Sequence, residues 1–256
     1  MQQGPTETPT ARRRRRARLA AVAPAVVALV AASCGGGGDG EPTEPTIAAD
    51  AASIVDAAAT AMGETTSVRF ELRRSGAPVF IDPAEAVTLE SATGEFTVPR
   101  SARAVLAVEV DGALDTELGA IAIDDEVWLS NPITGRFETL PAGYDLDPSL
   151  FFDPEDGWRP LLESLRDVEL IGRVDLDGAA RYRVDAIAPA AQIEAISAGL
   201  VRDQDVPIEL WLQPVTGEVR RATFTAEAPA GQVTWQLDLD EYGAEFAIEP
   251  PEDVAG

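Results

Sequence analysis

Histidine and lysine are both missing from the 256 residues, and cysteine occurs once, at Cys34. Without histidine, and with one thiol, neither a Ser-His-Asp hydrolase, a Cys-His protease nor the usual zinc site can be assembled. Long apolar runs are also missing. The longest, LAAVAPAVVALVAA from Leu19 to Ala32, is shorter than the roughly 18 residues a spanning helix needs and carries Pro24 inside it. Positive charge is scarce: 20 arginines face 44 acids. Six of those arginines precede Cys34, as does one acid, Glu7, so the remainder carries fourteen positive against forty-three negative charges, a net of −29. Such a chain repels nucleic acid and an anionic leaflet, and its acidity reads as a solubility device.

Arg12 to Arg16 and Arg18 form a cationic block directly before the apolar run. A basic region, a short apolar core and small residues at Ala31-Ala32-Ser33 before Cys34-Gly35 make a secretory signal ending in a lipobox. The third residue before the cysteine, usually Leu, is Ala31, with Val30 one place earlier. Residues 1–34 are therefore expected to be a lipoprotein signal peptide. Cys34 is expected to carry the diacylglyceryl and fatty acyl (palmitate) groups, holding the protein extracytoplasmically on the outer face of the cytoplasmic membrane. Both the Sec and the twin-arginine routes stay open, since the Phe-Leu that usually follows the arginine pair is missing. Residues 35–46, GGGGDGEPTEPT, hold nothing able to join a core and read as a flexible Gly/Pro tether. The absence of Lys beside abundant Ala, Gly, Val, Asp and Arg suggests a GC-rich genome, as in many actinobacteria.

Residues 47–256 show no further low-complexity break or repeat and are expected to form a single domain. IAADAASIVDAAATAMG has Ile47, Ala51, Ile54, Val55, Ala58 and Met62 at helical spacing, with Gly63 past the end. The period then becomes two. Val68, Phe70 and Leu72 alternate with charged residues, as do Val87 and Leu89, then Leu106, Val108 and Val110, then Val127 and Leu129. Asp177-Gly178 between VELIGRVDL and AARYRVDAI predicts a hairpin, because both turn positions want positive φ. Ile208, Leu210 and Leu212 lead through a turn at Pro214 to Gly217 into a further strand, and Val233, Trp235, Leu237 and Leu239 form the last. Two stretches interrupt the strands. In YDLDPSLFFDPEDGWRPLLESLRDV, Asp147-Pro148 and Asp153-Pro154 look like caps followed by Pro at the first helical position, and Leu161, Leu162 and Leu165 make an apolar stripe. PAAQIEAISAGLV puts Ile193, Ile196 and Leu200 on one side of a short helix. The expected class is α+β: a large antiparallel sheet whose apolar face is covered by several amphipathic helices.

The blocks WLSNPITGRFETLPAG, LDPSLFFDPEDG, LLESLRDVELIG, VDLDGAARYRVDA, PIELWL and the terminal DEYGAEFAIEPPED, in that order behind a lipobox, resemble the actinobacterial lipoproteins LppX, LprA, LprF and LprG. That resemblance implies a half-open β-barrel, similar to the Lol lipoprotein carriers, with helices closing the concave face. It also implies a role in binding multi-acyl lipids or glycolipids in a hydrophobic cavity and carrying them across the cell envelope. The expected partners are the membrane, through the anchor at Cys34, and the acylated cargo that the resemblance implies, with a membrane exporter as a further candidate.

Candidate cavity residues follow from the alternation and the stripes. The strands supply Val68, Phe70, Leu72, Leu106, Val108, Val110, Val127 and Leu129. Phe151, Leu161, Leu162, Leu165, Ile193 and Ile196 come from the helical stretches, and Tyr182, Val184, Leu210, Leu212 and Trp235 from the later strands. Any one of these also fits a filled core. No cofactor, metal or catalysis is expected: acidic pairs in so acidic a chain arise by accident, and the run Asp145, Asp147, Asp153, Glu155 and Asp156 lacks an EF-hand pattern and reads as caps and loop acids. The competing reading is a cargo-free envelope module that docks an exporter or a cell-wall enzyme, with Trp128 and Trp211, opposite the apolar alternation, as interface anchors.

Overall fold

Eleven strands hydrogen-bond into one antiparallel sheet in a computed structural model, which describes residues 50–124, 126–140, 157–197, 199–252 and 254. In chain order the elements are α1 (Ala51–Gly63), β1 (Ser67–Gly76), β2 (Val87–Thr97), β3 (Ser101–Val110), β4 (Leu114–Ile123), β5 (Glu126–Ser130) and β6 (Phe137–Thr139). Then come α2 (Trp158–Ser164), β7 (Arg166–Leu176), β8 (Ala179–Ala188), α3 (Ala190–Ile196), β9 (Val206–Leu212), β10 (Val219–Ala228) and β11 (Gly231–Asp240). Spatially the order is β6-β5-β4-β3-β2-β1-β11-β10-β9-β8-β7. Two meanders, β1 to β6 and β7 to β11, are thus stitched along the β1–β11 pair, where Phe70 faces Leu239 and Leu72 faces Leu237.

Local chemistry sets the element ends. The Asp50 carboxylate accepts from the Ser53 backbone N–H at 2.9 Å and caps α1, a bond that holds its pKa below the usual carboxylate value. Ile47, expected in this helix, lies outside the described residues; Gly63, expected past its end, is its last residue, and Glu64 is the cap. Asp177 and Gly178 both take positive φ, 55° and 81°, as the predicted β7–β8 hairpin requires. In the β9–β10 turn a side chain at Gly217 would stand 2.8 Å from the Ala57 carbonyl oxygen, so glycine lets the α1 backbone rest on the turn.

Every second residue of the central strands points to one side. Val68, Phe70 and Leu72 of β1, Leu106 and Val108 of β3, Val184 of β8, Leu210 of β9 and Leu237 of β11 are all buried there. Against this face lie Ile54, Val55, Ala58, Ala59 and Met62 of α1, Trp158, Leu161 and Leu162 of α2, and Ile193 and Ile196 of α3. Sheet and helices share one continuous hydrophobic cluster. The expected helix-covered sheet is the architecture found, and Leu200 sits just beyond α3, partly buried against the same cluster.

The other face is charged. Arg69 bridges Glu95 (3.1 Å) and Glu241 (3.0 Å), and Arg103 and Glu95 pair at 2.6 Å. The arginines of these pairs are exposed while Glu95 is largely covered; solvent screening on the arginine side keeps each contribution small, roughly 0–1 kcal/mol, so the fold rests on the apolar side. After β11 the chain folds back onto this face. Gly243 donates its N–H to the Ser67 carbonyl at 3.0 Å, the Ser67 hydroxyl donates to the Ala244 carbonyl at 2.6 Å, and Arg69 lies 5.4 Å from the Phe246 ring centre. Further on, Val254 pairs with Phe137, and Arg136 donates to its carbonyl at 3.3 Å. The tail therefore straps the sheet from β1 to the edge strand β6.

Candidate functional site: the apolar layer between sheet and helices

The sheet supplies the floor of this layer. Val68, Leu106, Val108, Tyr182, Val184, Leu210, Leu212 and Trp235 are almost entirely buried, with Phe70 and Leu72 nearly so. Val110, Val127 and Leu129 reach the same cluster but are only partly buried, because they lie toward the ends and the β5 side of the sheet. The helices supply the roof through Leu161, Leu162, Ile193 and Ile196, with Leu165 at the α2 exit partly buried. Every sequence-predicted candidate that is described thus converges on one layer. Phe151 lies outside the described residues, as do Cys34, the tether and the acidic run from Asp145 to Asp156. The candidate cavity residues left out the α1 face, Trp158, and Ile208 and Leu239 of the alternating strands, which belong equally to the layer. The helical spacing of Ile54, Val55 and Met62 was a signal for the first of these.

The layer is almost wholly apolar. Where aromatic side chains carry polar tips, partners are mostly supplied. The Tyr242 hydroxyl donates to the Val219 carbonyl, and Arg173 donates to the Tyr182 hydroxyl at 3.1 Å. Burial pushes the Tyr242 hydroxyl well above the usual tyrosine pKa, so it stays a neutral donor. Two tips are different: Nε1 of Trp158 and Nε1 of Trp235 are buried and meet no acceptor among the described residues.

Neither tryptophan proposed as an interface anchor is freely displayed. Trp128 is buried, paired in register with buried Ile121 on the strapped side of the sheet. Trp211 is half-buried, with the Arg183 guanidinium 5.6 Å from its ring centre.

On the charged face a cavity of about 420 Å³ lies where the β7–β8 hairpin tip meets β1, β10 and β11. Arg73 pairs with Asp238 (3.0 Å) there, and Arg221 with Asp238 (2.5 Å) and Asp177 (3.4 Å). Arg181 also lines it; desolvation first, and the neighbouring Arg220 second, push its pKa down. Carboxylates balance arginines around this cavity, and Leu176 and Leu239 offer little apolar surface to an acyl chain. No cluster of three or more metal-ligating side chains occurs among the described residues, and no described helix is long and apolar enough to cross a membrane.

A single curved antiparallel sheet with short helices laid over its apolar face defines a half-barrel fold. The chain belongs to the LppX_LprAFG lipoprotein family, whose model matches residues 50–248. Its fold is that of LprF from Mycobacterium bovis, at TM-score 0.62 and 18% identity, covering 81% of this chain and 99% of that one. LppX from Mycobacterium tuberculosis is similar at TM-score 0.55 and 14% identity, covering 77% of this chain and 97% of that one. No curated protein matches the chain in sequence.

Proposed function

We propose that the protein is a membrane-tethered carrier: it binds multi-acyl lipids or glycolipids between the sheet and the helices and moves them across the cell envelope. Cys34 carries the acyl anchor, residues 35–46 are the tether, and residues 47–256 form one lipid-binding domain without catalytic function. The carrying observation is the layer itself, where the inner faces of both meanders and all three helices make one uninterrupted apolar surface. Each methylene moved from water into it contributes about 0.8 kcal/mol, so a lipid with several chains supplies ample energy to part helices from sheet. Family membership supports the same reading.

Organic extraction and mass spectrometry of the protein purified from its native host test this. Stoichiometric lipid supports the carrier. Trace lipid supports a cargo-free module that docks an exporter or a cell-wall enzyme, a reading favoured by the near-complete burial of Val68, Val108 and Leu210.

A further inference from the structure

Trp235 stands on β11, next to the middle of the sheet, in register with Phe224 of β10 and Arg74 of β1. Trp158 is the first residue of α2, in the roof. Each is 1% exposed, and each indole N–H is enclosed without an acceptor among the described residues. Buried indole donors usually find a partner, because leaving one unmade forfeits the solvation of the N–H. Two such donors, one in each wall of a layer whose other buried polar tips are already partnered, describe a ligand that must be mostly hydrocarbon yet bring hydrogen-bond acceptors with it.

The charge of that acceptor is fixed by what surrounds it. Arg74, opposite Trp235, is already committed: it donates to the carbonyls of Leu89 (2.6 Å), Gly76 (3.0 Å) and Ala77 (2.6 Å) and pairs with Glu90. An anionic headgroup would enter the layer without a free cation and would bear the full desolvation penalty of a buried charge. A neutral carbonyl oxygen bears no such penalty. We propose that Trp158 and Trp235 are the polar contacts of the cargo layer, and that their N–H groups donate to the ester carbonyls of an acyl lipid. They thereby select ester-linked over ether-linked or plain hydrocarbon lipids. This rests on the carrier reading.

The test offers the full-length, membrane-extracted chain equimolar diester and diether glycerolipids with identical chains and headgroup, and quantifies retained lipid by mass spectrometry. Wild type should retain diester over diether by about five- to tenfold, the worth of a hydrogen bond or so at tenfold per 1.4 kcal/mol. Trp158→Phe and Trp235→Phe keep an aromatic ring and remove the donor; each should lower diester retention severalfold and leave diether retention nearly unchanged. Equal retention of both lipids by wild type overturns the proposal. So does a diester preference that survives both substitutions, or an equal loss of both lipids, which would mark a packing role. Retention of neither lipid removes the carrier reading itself. Should the variants not fold, the indole ¹H–¹⁵N signals of the wild-type chain decide: two downfield shifts with diester and none with diether are expected, and unchanged signals overturn the assignment.

Discussion

Phe70 packs directly onto Gly94. A methyl group on Gly94 would stand 2.3 Å from the Arg103 carbonyl oxygen, 2.6 Å from Cζ of the Phe70 ring and 2.9 Å from Cβ of Ala104, so the bare backbone of β2 is what lets both the β3 backbone and the ring of β1 approach it. Glycine weakens a strand in principle, yet here it marks a close approach. Gly94→Ala should overpack the site and destabilise the domain by about 1–3 kcal/mol. Thermal melting would register that as a drop of several degrees, and pairing the change with Phe70→Leu should recover part of it.

Tyr242 ties the end of β11 to β10 through its hydroxyl on the Val219 carbonyl. Its folded-state pKa lies well above its unfolded one, because burial disfavours the phenolate. The stability it contributes is therefore complete below the unfolded value near 10 and is lost as pH rises toward the folded value. With no histidine in the chain, stability should be nearly flat from pH 6 to 9 and then fall steeply. Tyr242→Phe should cost about 1 kcal/mol at neutral pH, where it strands the Val219 carbonyl, and should make the alkaline limb shallower. Chemical denaturation across that pH range measures both.

The address and the tether give a third expectation. Cys34→Ser should abolish incorporation of a clickable fatty acid, leaving the chain either uncleaved at the membrane or released into the medium; undiminished label would refute the assignment. Deleting Gly35 to Gly40 should leave the melting temperature unchanged, because a tether acts on reach and not on packing. A shift of several degrees would show that the segment is docked.

The strands that could be read from the sequence were those whose two faces differ in chemistry. Val68, Phe70 and Leu72 stand out because Arg69, Glu71 and Arg73 separate them. β4 was missed for the opposite reason. Its first half is Leu-Asp-Thr-Glu, and its second half, Gly119 to Ile123, is apolar on both faces because Ile121 is buried on the strapped side while Ala120 and Ala122 face the layer. The bulge after Leu89 hides most of β2, since it inserts Glu90 and shifts the inward phase from Val87 and Leu89 to Ala92, Gly94 and Phe96. With three residues, β6 is too short for any period, and the strapping tail depends on contacts about 118 to 177 residues apart in sequence. Of the layer, the wall residues were legible and the unpartnered indoles were not, because a donor's lack of an acceptor is a property of packing alone.

The final prediction concerns what cargo does to stability. A lipid that binds the folded domain and not the unfolded chain stabilises it by mass action, by about 2.7 kcal/mol when free lipid stands at 100 times Kd. At about 2–4 °C per kcal/mol for a domain of some 200 residues, that is a rise in Tm of roughly 5–11 °C. The delipidated protein should therefore melt lower than the protein as purified, and titration with a multi-acyl lipid should restore the difference. A single-chain fatty acid offers fewer buried methylenes and should restore less. A cargo-free docking module predicts identical melting before and after delipidation. Scanning calorimetry of the two preparations separates the readings, and coincident curves would remove the carrier.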